Sequence, residues 1–160
     1  MLIFLLLFFT PSILFAEPEE SLILCNGERK FRNLEEKGLT IIESESVLLI
    51  IKKNSLKYIG LNSGRVLTFS NKEYSSTKRP PHEDIKVTEQ YQYTPKTIKA
   101  SLMISDNGDN EESSINLFDL DVNLLTGELN ETEIIRNKKT NVNSMSNNFQ
   151  AVCKREDRPY

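Results

Sequence analysis

The chain has 160 residues and a formal net charge of −3, one domain's worth of protein without the basic excess that a nucleic-acid-binding surface requires. It contains one histidine, two cysteines and no tryptophan. That excludes a four-ligand structural zinc site built from His and Cys alone and leaves a Ser-His-acid machine a single imidazole.

Residues 1–16 are uncharged and apolar apart from Thr10-Pro11-Ser12, and the small Ala16 precedes the acidic Glu17-Pro18-Glu19-Glu20. That order is the apolar region and cleavage site of a secretory signal, with cleavage expected after Ala16. A membrane anchor would need about 20 apolar residues, and Pro11 interrupts this run. Lipid attachment at Cys25 would need a small residue before it, where Leu24 stands. The expected organisation is therefore a signal peptide over 1–16, a single β-domain over 17–154 and a frayed tail over 155–160. The expected location is the periplasm or the medium. The abundance of Asn, Lys, Glu, Ile and Ser, with little Gly or Ala, suits an AT-rich bacterial source. In an oxidising compartment Cys25 and Cys153, the only cysteines, are expected to bond. The bridge would enclose nearly the whole mature chain and contribute about 2–5 kcal/mol.

Ser21–Cys25 reads as a first strand, Asn26-Gly27 as a tight turn and Glu28–Arg32 as the returning strand. Asn33–Gly38 has the capping residues of one short helical turn. Leu39–Glu43 and Val47–Lys52 are expected to pair around Ser44-Glu45-Ser46. The continuously apolar Val47–Ile51 fits a central strand buried on both faces. Leu56–Gly60 and Arg65–Ser70 form a hairpin around Leu61–Gly64, and Glu73–Thr77 follows. Lys78–Glu83, with Pro80 and Pro81, is a connector, because consecutive prolines remove ladder donors.

From Ile85 the pattern has period two. Ile85, Val87, Tyr91 and Tyr93 share one parity, and Ile98, Ala100, Leu102 and Ile104 repeat it. Between Ser113 and Asn123 the apolar parity slips from Ile115 and Leu117 to Phe118, Leu120 and Val122, which predicts a bulge near Leu117–Phe118. Glu128–Ile135 is the next strand. Arg136–Asn148 is polar and predicts a mobile loop. Phe149–Lys154 is the last strand. Short strands joined by hairpin turns predict an all-β antiparallel meander forming a small closed or nearly closed barrel, with a two-sheet sandwich as the alternative.

No Gly-rich phosphate loop, nucleophile elbow or cofactor motif appears. His82 lies in the Pro-Pro connector and reads as an exposed loop residue. Asp106, Asp109 and Glu111 supply hard oxygens of the kind calcium takes. The EF-hand spacing is missed, and Asn107-Gly108 already accounts for a turn. Asp119 and Asp121 share a strand face, which reads as a solvated face more readily than as the acid pair of a glycoside hydrolase. Tyr91 and Tyr93 would line the pocket of a carrier for a small apolar ligand, the second function considered.

The first is a non-enzymatic exported β-domain that binds a protein or cell-envelope component through loops, as an inhibitor or adaptor would. The candidate loop residues are Asn62, Ser63, Gly64 and Arg65, then His82, then Asn141 and Asn143. Ser63-Gly64-Arg65 is similar to part of the loop that secreted bacterial inhibitors of c-type lysozyme insert into an enzyme cleft. Those inhibitors are small disulfide-linked β-barrels. The likeness spans three residues and lacks the aromatic motif beyond them. It implies only that an exported barrel can act by plugging a partner.

Overall fold

The structure, a computed structural model, describes residues 20–33, 39–77, 84–106 and 113–156. Their regular structure is all β: β1 Ser21–Asn33, β2 Thr40–Lys52, β3 Ser55–Gly60, β4 Val66–Phe69, β5 Lys72–Thr77, β6 Asp84–Tyr93, β7 Thr97–Asp106, β8 Ser114–Asn123, β9 Glu128–Asn137 and β10 Asn143–Glu156. They form one antiparallel 10-stranded sheet in the order β4-β3-β2-β1-β10-β9-β8-β7-β6-β5. The sheet curls into a half-barrel. It is neither a two-sheet sandwich nor a barrel closed by backbone bonds, because β4 and β5 remain as edges. Side chains bridge this seam near its base. Ser70 N and Oγ donate to Glu89 Oε2 at 3.2 and 3.0 Å, and the Tyr91 hydroxyl donates to Lys52 O at 2.9 Å.

Because alternate residues face opposite sides of a strand, one parity of each strand fills the concave face. Val47, Leu49, Leu56, Tyr58, Phe69, Ile98, Phe118, Val122, Leu129 and Phe149 are buried there. Phe118 stacks on Phe69 at 5.4 Å and meets Tyr58 edge-on at 5.8 Å. Each large apolar side chain so buried contributes about 1.5–3 kcal/mol.

Cys25 lies opposite Cys153 in the β1–β10 register, and the two are bonded at 2.04 Å across 128 residues of sequence. The expected bridge is present and joins the first strand to the last.

Several expected turns prove to be strand. Asn26-Gly27 lies inside β1, which pairs without interruption to β2 and β10. Gly27 serves close approach there: a Cβ would fall 1.9 Å from Gln150 O and 2.6 Å from Ala151 Cα. Ser44-Glu45-Ser46 is the middle of β2, not a turn: the three residues pair with Glu28, Gly27 and Asn26 of β1. No bulge occurs at Leu117–Phe118, since β8 keeps register with both neighbours. Apolar Ile115 and Leu117 lie on the outer face, and polar Asn116 takes the inner one, so the parity slip is in polarity alone. The register shift falls in β10 instead, between Asn143 and Met145. Most of the expected loop 136–148 is strand: β9 runs to Asn137 and β10 starts at Asn143. Its polar residues bond within the sheet. The last strand continues to Glu156, so Arg155 and Glu156 of the expected tail are strand, and residues 157–160 lie outside the described residues. The leader, residues 34–38 of the expected helical turn and the Lys78–Glu83 connector lie outside the described residues. Asn33 itself closes β1.

Candidate functional site

In an antiparallel meander, connections that follow odd-numbered strands lie at one end. The half-barrel's rim at that end carries the β3–β4 and β9–β10 connections, the ends of β1, β5 and β7 and the starts of β2, β6 and β8. Below it, the inner parity changes from apolar to charged. Toward the rim, β1 places Arg29 inside beyond Cys25 and Gly27, β2 places Glu45 beyond Val47, and β9 places Glu131 and Glu133 beyond Leu129.

Arg29 Nη1 donates to Glu131 Oε1 at 2.6 Å, and its Nη2 donates to the Tyr58 hydroxyl at 2.7 Å. The Tyr58 hydroxyl in turn donates to Glu131 Oε2 at 2.7 Å. The guanidinium also lies 4.9 Å over the Phe149 ring, and its Nε is 3.6 Å from Glu45 Oε2. Burial opposes the charge on Arg29, but the bonds and charge of Glu131 outweigh it, so the guanidinium's affinity for its proton rises further. Burial, then the Glu131 carboxylate, pushes the Tyr58 hydroxyl well above its ordinary value.

A second pair sits beside the first. Arg65 grips Glu133 with both terminal nitrogens, at 2.7 and 2.8 Å, and lies 5.0 Å over Phe118. Asn116 Nδ2 and Asn147 Nδ2 donate to the same carboxylate at 3.3 and 3.4 Å. Burial works to raise the pKa of Glu133. The bonds and charge of Arg65, with the two amides, prevail and hold it below the ordinary carboxylate value.

Glu45 connects this layer to the rim. Its Oε1 accepts bonds from Asn62 N at 3.2 Å and from Ser63 N and Oγ, each at 3.4 Å. Gly64 turns the β3–β4 connection with a φ of 68°, where a side chain would be strained. The expected loop residues Asn62, Ser63, Gly64 and Arg65 are thus together, and Arg65 reaches inward instead of out to solvent. Asn141 and Asn143 stand at the same rim, Asn141 in the β9–β10 connection and Asn143 as the first residue of β10. Asn141 is left-handed with a φ of 56°, and Asn143 Oδ1 accepts from Arg136 Nε at 2.9 Å. His82, Asp109 and Glu111 lie outside the described residues. Asp106 accepts from Ser114 N at 2.8 Å and lies 3.8 Å from Lys138 Nζ. Asp119 and Asp121 are exposed on the outer face, where Lys99 sits 3.3 Å from Asp121. Tyr91 is buried, with burial and then the charge of nearby Tyr93 pushing its hydroxyl up to about 12.

The residues missed from sequence are Arg29, Glu45, Tyr58, Glu131 and Glu133. A signal was present. In Leu129-x-Glu131-x-Glu133-x-Ile135 the acids occupy the parity of the apolar residues, so they had to enter the interior together with them.

Apolar side chains reach solvent at the rim, as Tyr93 and Leu125 at the opposite end and Val152 on the outer face do elsewhere. Leu39, Ile41 and Ile42 at the start of β2, Leu61 and Val66 flanking the β3–β4 connection, and Val142 are exposed, from 43% at Ile41 to 63% at Leu39. β4, β3, β2, β1 and β10 are consecutive in the sheet, so these residues lie along one stretch of rim. No helix among the described residues is long and apolar enough to cross a membrane. No protein-family model matches the chain, and a search of curated protein sequences finds no match either.

Proposed function

We propose that this chain is an exported, non-catalytic β-domain that binds a partner protein through the rim formed by the start of β2 and the β3–β4 and β9–β10 connections. The observation that carries this function is the set of exposed apolar residues Leu39, Ile41, Ile42, Leu61, Val66 and Val142 along that rim. Solvent-exposed apolar clusters on a rigid scaffold are characteristic of protein-binding surfaces. The layer beneath supports it: Glu45 and Arg65 fix the β3–β4 connection to the interior, so the rim is held in shape before a partner arrives.

The chemistry supports a binder over an enzyme. Glu131 and Glu133 are each bonded to an arginine, and both acids are buried. Neither is placed to exchange a proton with a substrate. The concave face is filled by Tyr58, Phe69, Phe118 and Phe149, which favours a binder over a carrier. The Cys25–Cys153 bond suits an oxidising compartment.

A photo-crosslinking residue placed at Ile42 or Leu61 in the producing cell tests this function, with Asp121 on the outer face and Leu125 at the opposite end as controls. Adducts to one protein from the rim positions alone are expected. Equal adducts from the control positions, or none from the rim, would reject it.

A further inference from the structure

β2 is bonded to β1 from Thr40 to Ile51, but β3 covers its other side only from Val47 to Lys52. The β3–β4 connection extends that cover a little. Leu61 N donates to Ser46 O at 2.7 Å, and Asn62 Nδ2 donates to Ser44 O at 3.1 Å. Alternate residues of a strand turn their backbone groups to the same side. The N–H and C=O of Ile42 and Thr40 therefore face the side of Ser44 and Ser46, where no strand pairs with them among the described residues. Among the described residues, Thr40–Ser44 is a sheet edge.

Sheet edges are normally blunted by charge, proline or a bulge. This one has no proline and no register shift against β1. Its one charge, Glu43, is exposed and has no ion-pair partner among the described residues. Ile41 and Ile42 are exposed and, being adjacent, lie on opposite faces of the strand.

We propose that the Thr40–Ser44 edge of β2 takes up an extended segment of the partner protein as an added strand. The segment would place apolar residues beside Ile41 and Ile42 and a Lys or Arg beside Glu43. Backbone bonds would supply affinity and alternate side chains the selectivity. A second copy of this chain fits less well. Antiparallel pairing centred on Ile42 would set Glu43 against Ile41. The β3–β4 connection would also confine the overlap to Thr40–Ser44, far short of the roughly 1,200 Å² that stable interfaces bury.

The proposal rests on the rim being a protein-binding surface, and the two can fail separately. The probe is a displayed library of random seven-residue peptides selected on the full chain. Enrichment of alternating apolar sequences with one basic residue is expected. An enriched peptide should slow amide exchange at Thr40 and Ile42 at least tenfold, and should lose binding at least tenfold when N-methylated at every second residue. Ile42→Pro removes an outward donor, a change that edge strands tolerate, and should weaken binding to the same extent. Glu43→Lys should remove the preference for a basic residue while leaving the fold intact. No enrichment, or peptides that bind Ile42→Pro and the wild type equally, would overturn strand addition. Rim adducts that persist in Ile42→Pro would overturn it while leaving the rim as the binding surface. A concentration-dependent dimer abolished by Ile42→Pro would overturn it in favour of self-pairing.

Discussion

Arg29 and Glu131 are stable inside the half-barrel because each satisfies the other, with Tyr58 bonded to both. Removing one partner of a buried pair leaves an uncompensated charge, which typically costs about 3–5 kcal/mol. Glu131→Ala is expected to fall in that range by urea unfolding. Tyr58→Phe removes only one hydroxyl and is expected to cost about 1–2 kcal/mol. Equal costs for the two would show that the carboxylate is not what holds the guanidinium. Glu133 makes a different prediction. Its folded pKa lies below the ordinary 4.5, so as pH falls the unfolded chain takes up the proton first. Its contribution is complete above 4.5 and is lost as pH drops through the lower folded value. The stability advantage of the wild type over Glu133→Gln should therefore shrink between pH 7 and pH 3, as read from urea midpoints. These charges escaped the sequence reading because polar residues were assigned to the wet face. Parity puts Glu131 and Glu133 on the dry face with Leu129, but only the cross-strand partners reveal that two arginines meet them there.

At the scale of the strand, the close pass of β1 against β10 is the feature that one substitution can probe. A Cβ on Gly27 would overlap Gln150 O at 1.9 Å, a backbone atom that cannot swing aside. Gly27→Ala should cost at least about 2 kcal/mol, because the ladder must shift to admit it. Native stability in that variant would mean the strands are farther apart than described. The same glycine explains an error of element assignment. Asn26-Gly27 has the composition of a hairpin turn, yet here glycine relieves crowding beside a disulfide, and sequence does not separate the two uses. β6 and β7 were legible because one face is wet and the other dry throughout. β10 was not, because Asn143, Asn147 and Asn148 find partners on Arg136, Glu133 and Thr132 that lie in another strand.

For the molecule as a whole, the meander and the bond between its first and last strands could be read from the spacing of turns and the positions of the two cysteines. The open seam could not, since alternation tells which side of a strand is dry and not whether the last edge finds a mate. That seam has a consequence for connectivity. The first and last strands run side by side, with Leu22 opposite Glu156, while β4 and β5, consecutive in sequence, are not bonded to each other. A circular permutant that links residue 156 to residue 20 and opens between Ser70 and Asn71 would make every pair of bonded strands a simple hairpin. Its strand pairings would all become local, although seam contacts such as Ser70–Glu89 would become long-range, and local topologies fold faster. The permutant should refold at least tenfold faster than the parent in stopped-flow experiments. It should also lose less stability when reduced, because its disulfide would span one short hairpin instead of most of the polypeptide.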